Sequence, residues 1–301
     1  MNTAPDTRLI EWLLDGDPAV RWRVLTLTGA PDAVVRVERA RVAREGWGAR
    51  LLAEEDGAGG WGGGIYAPKW TSTTYTLLRL LWLGLLPGHP AALRGCDQLW
   101  EWQARWRVPE TCIVAILVRL SVSHGYDAAR LDSLVDHLLD QQLDDGGWNC
   151  ATRTDKGKHS SFHTSIQAVE GLAAYHRMQP DASVDTALRR GRDFFLAHRL
   201  YQSHRTGEPA LRGVTRFPAF PEWHFDVLRG LEHFVEVGAA PERRLDDAVT
   251  VLRRARRSDG RWPTYAAYPG RQWFELEPKG PSRWNTTRVL RVLDWWCDGA
   301  G

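Results

Sequence analysis

Three residues that could bind a metal ion stand where two apolar helical segments are expected to begin. Glu110 and Cys112 lie two positions apart ahead of one segment, and His163 opens the next. A carboxylate, a thiolate and an imidazole suit Zn²⁺ with a fourth position left open, as in catalytic zinc sites. A helix N-terminus would also lower the pKa of Cys112. The sequence therefore predicts Zn²⁺ as a cofactor, held by Glu110, Cys112 and His163.

The same three residues also have structural interpretations. A cysteine in an apolar helix commonly packs as a small hydrophobic side chain. An acidic residue at a helix start complements the helix dipole, and a histidine there can act as a cap. Spacing alone leaves both the metal site and these structural roles open.

A repeated turn indicates which elements would position these residues. The segments D-G-A-G-G-W (56–61), D-D-G-G-W (144–148) and D-G-R-W (259–262) each follow an amphipathic helical pattern. Other segments are apolar nearly all round, as expected of helices buried on all sides. They are 75–86, 112–122, 166–175, 225–237 and 288–296, and an N-terminal copy at 18–27 brings their number to six; all six are here named the inner helices.

This alternation of inner and amphipathic outer helices predicts an all-α fold. Strand-like alternation of period two is absent, and six inner helices, each returned by an outer one, could close into an (α/α)6 barrel. We expect one domain over residues 1–301, in which residues 1–45 close the barrel and residues 46–297 form the repeats. If all inner helices run the same way, their N-termini meet at one end and favour an anion there.

Polar and aromatic residues are predicted to gather at that end. The chain has 16 tryptophans among 301 residues, which suggests either repeated structural anchors or an aromatic-lined cavity. Asp226, beside His224, could act as an acid if burial raises its pKa, and these two are the predicted catalytic residues. The predicted substrate-binding residues at this end are Lys69, Trp70, Tyr75, His159, Trp223 and Trp284.

The glycine-tryptophan turn carries a resemblance to a known superfamily. Q-Q-L-D-D-G-G-W (141–148) resembles the QW motif of squalene and terpene cyclases and the matching turn of protein prenyltransferase β subunits. Those families share an α/α toroid, so the resemblance implies the same fold over roughly residues 46–297. The central D-x-D-D acid motif of class II terpene cyclases does not occur in this sequence.

The prenyltransferase β subunits also resemble this chain around the candidate metal site. Their zinc is bound by D-x-C and by the histidine of Y-H-T, and this chain has E-T-C (110–112) and F-H-T (162–164). Q-A-R-W-R (103–107) is similar to their Q-G-R-x-x-K, which implies that Arg105 and Arg107 hold a diphosphate. The chain departs from the family at Glu110, at Phe162 and at K-W-T-S-T-T (69–74), where the family has a glycine-rich helix start.

Three functions remain open on this evidence. The first is a zinc-dependent, prenyltransferase-like enzyme acting on an isoprenoid, for example an isoprenoid diphosphate, or on another hydrophobic small molecule in a central cavity. The second is a metal-free cyclase whose rings stabilise carbocations through cation–π attraction. The third is a non-catalytic binding scaffold, because a repeat fold does not by itself dictate a function.

Composition indicates where the protein is located and which classes of partner it lacks. The net charge of +2 gives no basic footprint for nucleic acid. No apolar run reaches the length of about 18 residues that a membrane span requires, and the four cysteines form no C-x-x-C pair. We therefore expect a cytoplasmic protein with no transmembrane segment, and nothing in the sequence identifies a partner subunit.

Overall fold

The computed structural model describes residues 6–105, 110–126, 130–151 and 158–298, and this part of the chain is mostly helical. It confirms the predicted all-α class. Two short strands, β1 (Trp262–Pro263) and β2 (Pro281–Ser282), pair antiparallel. The helices are α1 (Thr7–Leu14), α2 (Pro18–Leu27), α3 (Asp32–Ala40), α4 (Gly46–Ala53), α5 (Thr73–Leu83), α6 (Pro90–Gln103), α7 (Thr111–His124), α8 (Asp132–Asp140), α9 (Phe162–Met178), α10 (Ala182–Ala197), α11 (Val227–Glu236), α12 (Asp246–Arg254) and α13 (Arg283–Asp298).

The inner helices correspond to α2, α5, α7, α9, α11 and α13. Helix α9 is buried along most of its length, as its apolar pattern predicts, whereas α12 buries only Ala248, Val249 and Leu252 on one face. No helix in the described ranges combines the length and the hydropathy needed to cross a membrane.

The tryptophan of each repeated turn joins an outer helix to the next inner helix. All three rings are buried. Each indole N–H donates to a carbonyl near the end of the preceding outer helix, and each backbone N–H donates to a hydroxyl in the first turn of the following inner helix. The indole bonds are Trp61 to Leu51, Trp148 to Leu138 and Trp262 to Leu252 (2.8, 2.7 and 2.7 Å), and the backbone bonds reach Thr73, Ser165 and Thr286 (3.1, 2.9 and 3.0 Å).

Two glycines are required by this turn, one for its backbone conformation and one for close packing of the next outer helix. Gly146 has a φ of +92°, a left-handed backbone conformation that L side chains rarely adopt. Gly191 of α10 lies so close to the turn that a Cβ atom there would be 3.0 Å from the Trp148 ring and 2.6 Å from Val169. The next outer helix therefore packs directly on the turn tryptophan.

Neighbouring inner helices are in contact in chain order. Helix α5 packs on α7, α7 on α9, α11 on α13, and the last helix, α13, also packs on α2. Helices α9 and α11 are joined by the buried ion pair of Glu170 with Arg229. Between α2 and α5, the indole N–H of Trp22 donates to the carbonyl of Leu83 at 3.0 Å. Side chains of all six helices consequently meet in one core.

Candidate functional site

A carboxylate and two thiols converge where α7 begins. Glu110 immediately precedes α7, Cys112 is its second residue, and Cys150 lies two positions after the turn tryptophan Trp148. One ligand atom of each of Glu110, Cys112 and Cys150 lies within 4.8 Å of the others, and the three residues are half-buried. The group contains Cys150 in the position for which the sequence analysis expected His163.

The two thiols of this group are electrostatically unequal. The Sγ atom of Cys150 accepts hydrogen bonds from the backbone N–H of Cys112 at 3.2 Å and from the hydroxyl of Thr164 at 3.6 Å. The Cys112 thiol, followed by these two donors, lowers the pKa of Cys150 to about 7. The shared hydrogen bond with Cys150 and burial raise the pKa of Cys112. The sequence analysis expected the helix start to lower the pKa of Cys112. In the structure the donors at the helix start point to the sulfur of Cys150 instead, so Cys150 is the thiol that ionises more readily.

His163 is turned toward a different set of partners. Its Nδ1 atom accepts the backbone N–H of Phe225 at 2.9 Å, and its ring meets Trp223 edge-on at 5.1 Å. Burial and the positive charge of Arg229 lower the pKa of His163 to about 4. A neutral imidazole that accepts at Nδ1 carries its proton on Nε2 and has no free lone pair for a metal ion. In this arrangement His163 supports the loop before α11.

Three of the predicted substrate-binding residues form an aromatic cluster with His224, and a fourth, Lys69, lies over it. The His224 ring is stacked between Trp223 at 3.8 Å and Tyr268 at 3.6 Å. Trp70 meets Tyr75 edge-on at 4.8 Å and His224 at 5.6 Å. The ammonium of Lys69 lies 5.1 Å from the Trp223 ring and 5.5 Å from the Trp70 ring. We name the rings of Trp70, Tyr75, Trp223, His224 and Tyr268 the aromatic cluster.

Tyr66 lies between the aromatic cluster and the candidate metal ligands. Its ring lies 5.2 Å from that of Tyr75. Burial raises the pKa of the Tyr66 hydroxyl to about 12, and the negative charges of the nearby Cys112, Glu110 and Cys150 act in the same direction. The rings and the candidate metal ligands therefore share one neighbourhood near the N-terminal ends of α5, α7 and α9.

Two buried acids stand in the loop that leads into α11. Asp226 caps α11 by accepting the Arg229 N–H at 2.9 Å, its other oxygen has no hydrogen-bond partner among the described residues, and burial raises its pKa to about 6. Burial likewise raises the pKa of Glu222 to about 7, against the opposing charge of Arg79. Glu222 was not singled out from the sequence, because a loop residue has no periodicity to reveal its burial.

Within the aromatic cluster, His224 is neutral over most of the pH range because burial, followed by the charge of His163, lowers its pKa to about 3. The remaining predicted residues lie apart from the aromatic cluster. Arg105 and His159 are exposed, while Arg107 lies outside the described residues. Trp284 is buried and donates its indole N–H to the carbonyl of Ala219 at 2.8 Å, near a separate cavity.

That cavity has a volume of about 750 Å³ and is lined by side chains from all six inner helices. Most of its lining comes from the later turns of these helices, including Trp82, Val122, Met178 and Glu236. The C-terminal ends of the inner helices therefore lie on the same side of the molecule. We name this space the central cavity.

A layer of buried charge lies beside the central cavity. Glu170 of α9 binds both Arg119 of α7 and Arg229 of α11, each at 2.5 Å, and Arg288 of α13 binds Glu232 at 2.6 Å. Sequence reasoning overlooked these residues. The signal was a charged residue inside every largely apolar inner segment, a glutamate in that of α9 and an arginine in each of the others; these residues are Glu170, Arg23, Arg79, Arg119, Arg229 and Arg288.

Comparison with known proteins yields no matching family model, curated protein or solved structure. The functional argument consequently rests on chemistry. The carboxylate and two thiols can coordinate a metal ion, and soft sulfur ligands with a carboxylate are a donor set that Zn²⁺ accepts. The aromatic cluster offers apolar surface and π-faces beside them.

Proposed function

We propose that this chain is an α/α-toroid enzyme that uses Zn²⁺, held by Glu110, Cys112 and Cys150, to act on a hydrophobic small molecule of isoprenoid type. The convergence of these three ligand atoms within 4.8 Å carries the proposal. Further support for the toroid comes from the contact of α13 with α2, which joins the last inner helix to the first.

The donor set fits zinc on two counts. Three protein ligands leave a fourth position open, which is the pattern of catalytic rather than structural zinc. Metal binding requires deprotonated sulfur, and the donors around Cys150 already lower its pKa to about 7. When bound, the metal would lower the pKa of a coordinated thiol or water and so create a nucleophile near neutral pH.

The aromatic cluster supplies the surface for the apolar part of the substrate. Trp70 and Tyr75 are held by packing, and the Trp70 indole N–H donates to the carbonyl of Tyr268 at 3.1 Å. Fixed rings of this kind bind a hydrocarbon chain at little cost in side-chain entropy. The exposed ammonium of Lys69 above these rings would contact an anionic group at the substrate's end.

Elemental analysis of the purified protein tests the metal site. We expect stoichiometric zinc in the wild type, and its loss in Cys112→Ser and in Cys150→Ser. Cys297→Ser is the matched control, since Cys297 is also half-buried but lies outside the ligand group. His163→Ala should retain zinc, because Cys150 rather than His163 is the third ligand. Equal, negligible zinc in the wild type and all variants would overturn the proposal.

A metal-free cyclase is the second candidate, and the buried acid Asp226 favours it. Its raised pKa of about 6 keeps a proton available at mildly acidic pH, and its charge is felt by Tyr268 in the aromatic cluster. The test is cyclic product from a polyprenyl diphosphate in the presence of a chelator. Product that survives chelation and disappears in Asp226→Asn would support this candidate and contradict the zinc enzyme.

A further inference from the structure

The central cavity carries more positive than negative side chains. Its lining includes seven arginines and four carboxylates. Such an excess is costly in a partly desolvated space, because like charges repel more strongly where the effective dielectric constant is low. The arginines are Arg23, Arg39, Arg119, Arg177, Arg229, Arg288 and Arg291, and the carboxylates are Glu170, Glu232, Glu236 and Asp294.

Four of the arginines are matched by carboxylates. Arg119 and Arg229 share Glu170, Arg288 binds Glu232, and Arg177 lies 3.5 Å from Glu236. Within the described ranges, the other three arginines have no carboxylate oxygen within 4.0 Å. These three, which we name the unpaired arginines, are Arg23, Arg39 and Arg291.

Arg23 shows how these cations are held. Its guanidinium donates to the carbonyls of Ala19 at 2.6 Å and Leu83 at 3.2 Å, and also to that of Trp82. The group lies 4.1 Å from the Trp22 ring and 4.7 Å from the Trp284 ring. These contacts fix the position of the charge but do not neutralise it.

The cations around Arg23 act on it unfavourably. Burial, followed by the positive charge of Arg291, lowers the pKa of Arg23 well below its ordinary value, and Arg288 and Arg39 act in the same direction. Glu232 opposes them. A bound anion would remove this repulsion, and arginine is suited to bidentate contacts with phosphate or carboxylate oxygens.

We propose that the central cavity is a receptor for a small anion with two or more negative charges, of the phosphate-ester or polycarboxylate class, bound by Arg23, Arg39 and Arg291. The rings of Trp22 and Trp82 in the same cavity provide surface for an apolar part of that ligand. Monovalent anions should bind weakly, because they offset only one of the three unpaired charges.

This receptor is distinct from the proposed zinc site. Cys112 and the cavity residue Val122 lie on the same helix, ten positions apart. At 1.5 Å per residue they are separated by about 15 Å along the axis. The inference therefore goes beyond the proposed enzyme, and either can fail without the other.

Isothermal titration calorimetry with pyrophosphate, citrate and acetate tests the receptor. We expect pyrophosphate or citrate to bind, with affinity falling as salt rises, and acetate to bind far more weakly. Arg291→Gln and Arg39→Gln should each weaken binding about tenfold, the effect of losing one charge-assisted contact. Arg291 is exposed and makes no ion pair in the described structure, so its loss leaves the fold intact.

Two controls make the result decisive. Arg254→Gln removes the same charge from the exposed face of α12, outside the cavity, and should leave binding unchanged. Cys150→Ser should also bind as the wild type does, which separates the receptor from the zinc site. No heat with either polyvalent anion, or equal weakening by Arg254→Gln and Arg291→Gln, would overturn the proposal; preference for pyrophosphate or for citrate identifies the ligand class.

Discussion

The two ends of the inner helices have opposite chemistry. Near the N-terminal ends lie aromatic rings, two thiols and two histidines. The pKa values of these histidines, about 4 for His163 and about 3 for His224, leave both imidazoles uncharged at neutral pH. Near the C-terminal ends lie guanidinium groups paired across helices or held without a carboxylate. The same six helices build both regions.

This contrast shows that charged side chains can offset the helix dipole. The sequence analysis placed anion binding at the N-termini, where each helix contributes about half a positive charge. The seven arginines of the central cavity each carry a full charge and lie at the other end. The cavity has three more arginines than carboxylates, which is comparable in size with the roughly half negative charge that each of the six helix C-termini contributes, so the dipole alone does not set the electrostatic character of that end.

The largest expected effect comes from breaking the buried charge layer. Glu170→Gln leaves Arg119 and Arg229 buried beside a neutral amide, and it should lower the free energy of unfolding by about 3–5 kcal/mol. Urea denaturation measures the loss. Asp185→Asn breaks the exposed pair with Arg189 and should cost under about 1 kcal/mol. Equal losses in the two variants would mean that the layer does not hold the helices together.

A pH-dependent effect is expected at the opposite end, at Asp226. Because burial raises its pKa from 3.8 to about 6, the folded state holds the proton more tightly than the unfolded state. This contribution to stability is complete below pH 3.8 and is lost as pH rises through about 6. The free energy of unfolding of Asp226→Asn, relative to that of the wild type, should therefore rise by on the order of 2 kcal/mol between pH 4 and pH 8. A difference between the two proteins that stays constant over that range would contradict the assignment.

The turn tryptophans belong to neither the zinc site nor the central cavity, so substituting them should change stability without changing ligand binding. Trp148→Phe removes the indole N–H and leaves the Leu138 carbonyl without its donor, at a cost of about 1–2 kcal/mol. Trp61→Phe and Trp262→Phe should lose similar amounts, because the bond recurs in each repeat. Zinc content and pyrophosphate affinity should remain those of the wild type, and a change in either would show that the turns also shape the sites.

The smallest effect is expected in thiol reactivity of the metal-free protein. Iodoacetamide should modify Cys150 before Cys112, with a rate that rises as pH passes about 7, because the thiolate is the nucleophile. Thr164→Val removes one donor to the sulfur and should raise the pKa of Cys150. Mass spectrometry of the alkylated peptides identifies the modified residue. Faster modification of Cys112 would reverse the assignment of the two thiols.

The sequence predicted the helices because their signal is local. The apolar segment 112–122 corresponds to α7 (Thr111–His124), and 225–237 to α11 (Val227–Glu236). The start of α9 was missed by four residues: its apolar run begins at Ile166, whereas the helix begins at Phe162, after Ser161 caps it. A cap is a hydrogen bond, which hydrophobic periodicity does not register.

The sequence by itself determined the all-α class and the turns that join outer to inner helices, because residues three, four and ten positions apart are brought together by one helix and its turn. Only the tertiary structure decided that Cys150 joins Glu110 and Cys112, and that arginines from several inner helices meet around one cavity. Those partners come from distant parts of the chain, and the packing of whole helices fixes which of their side chains meet.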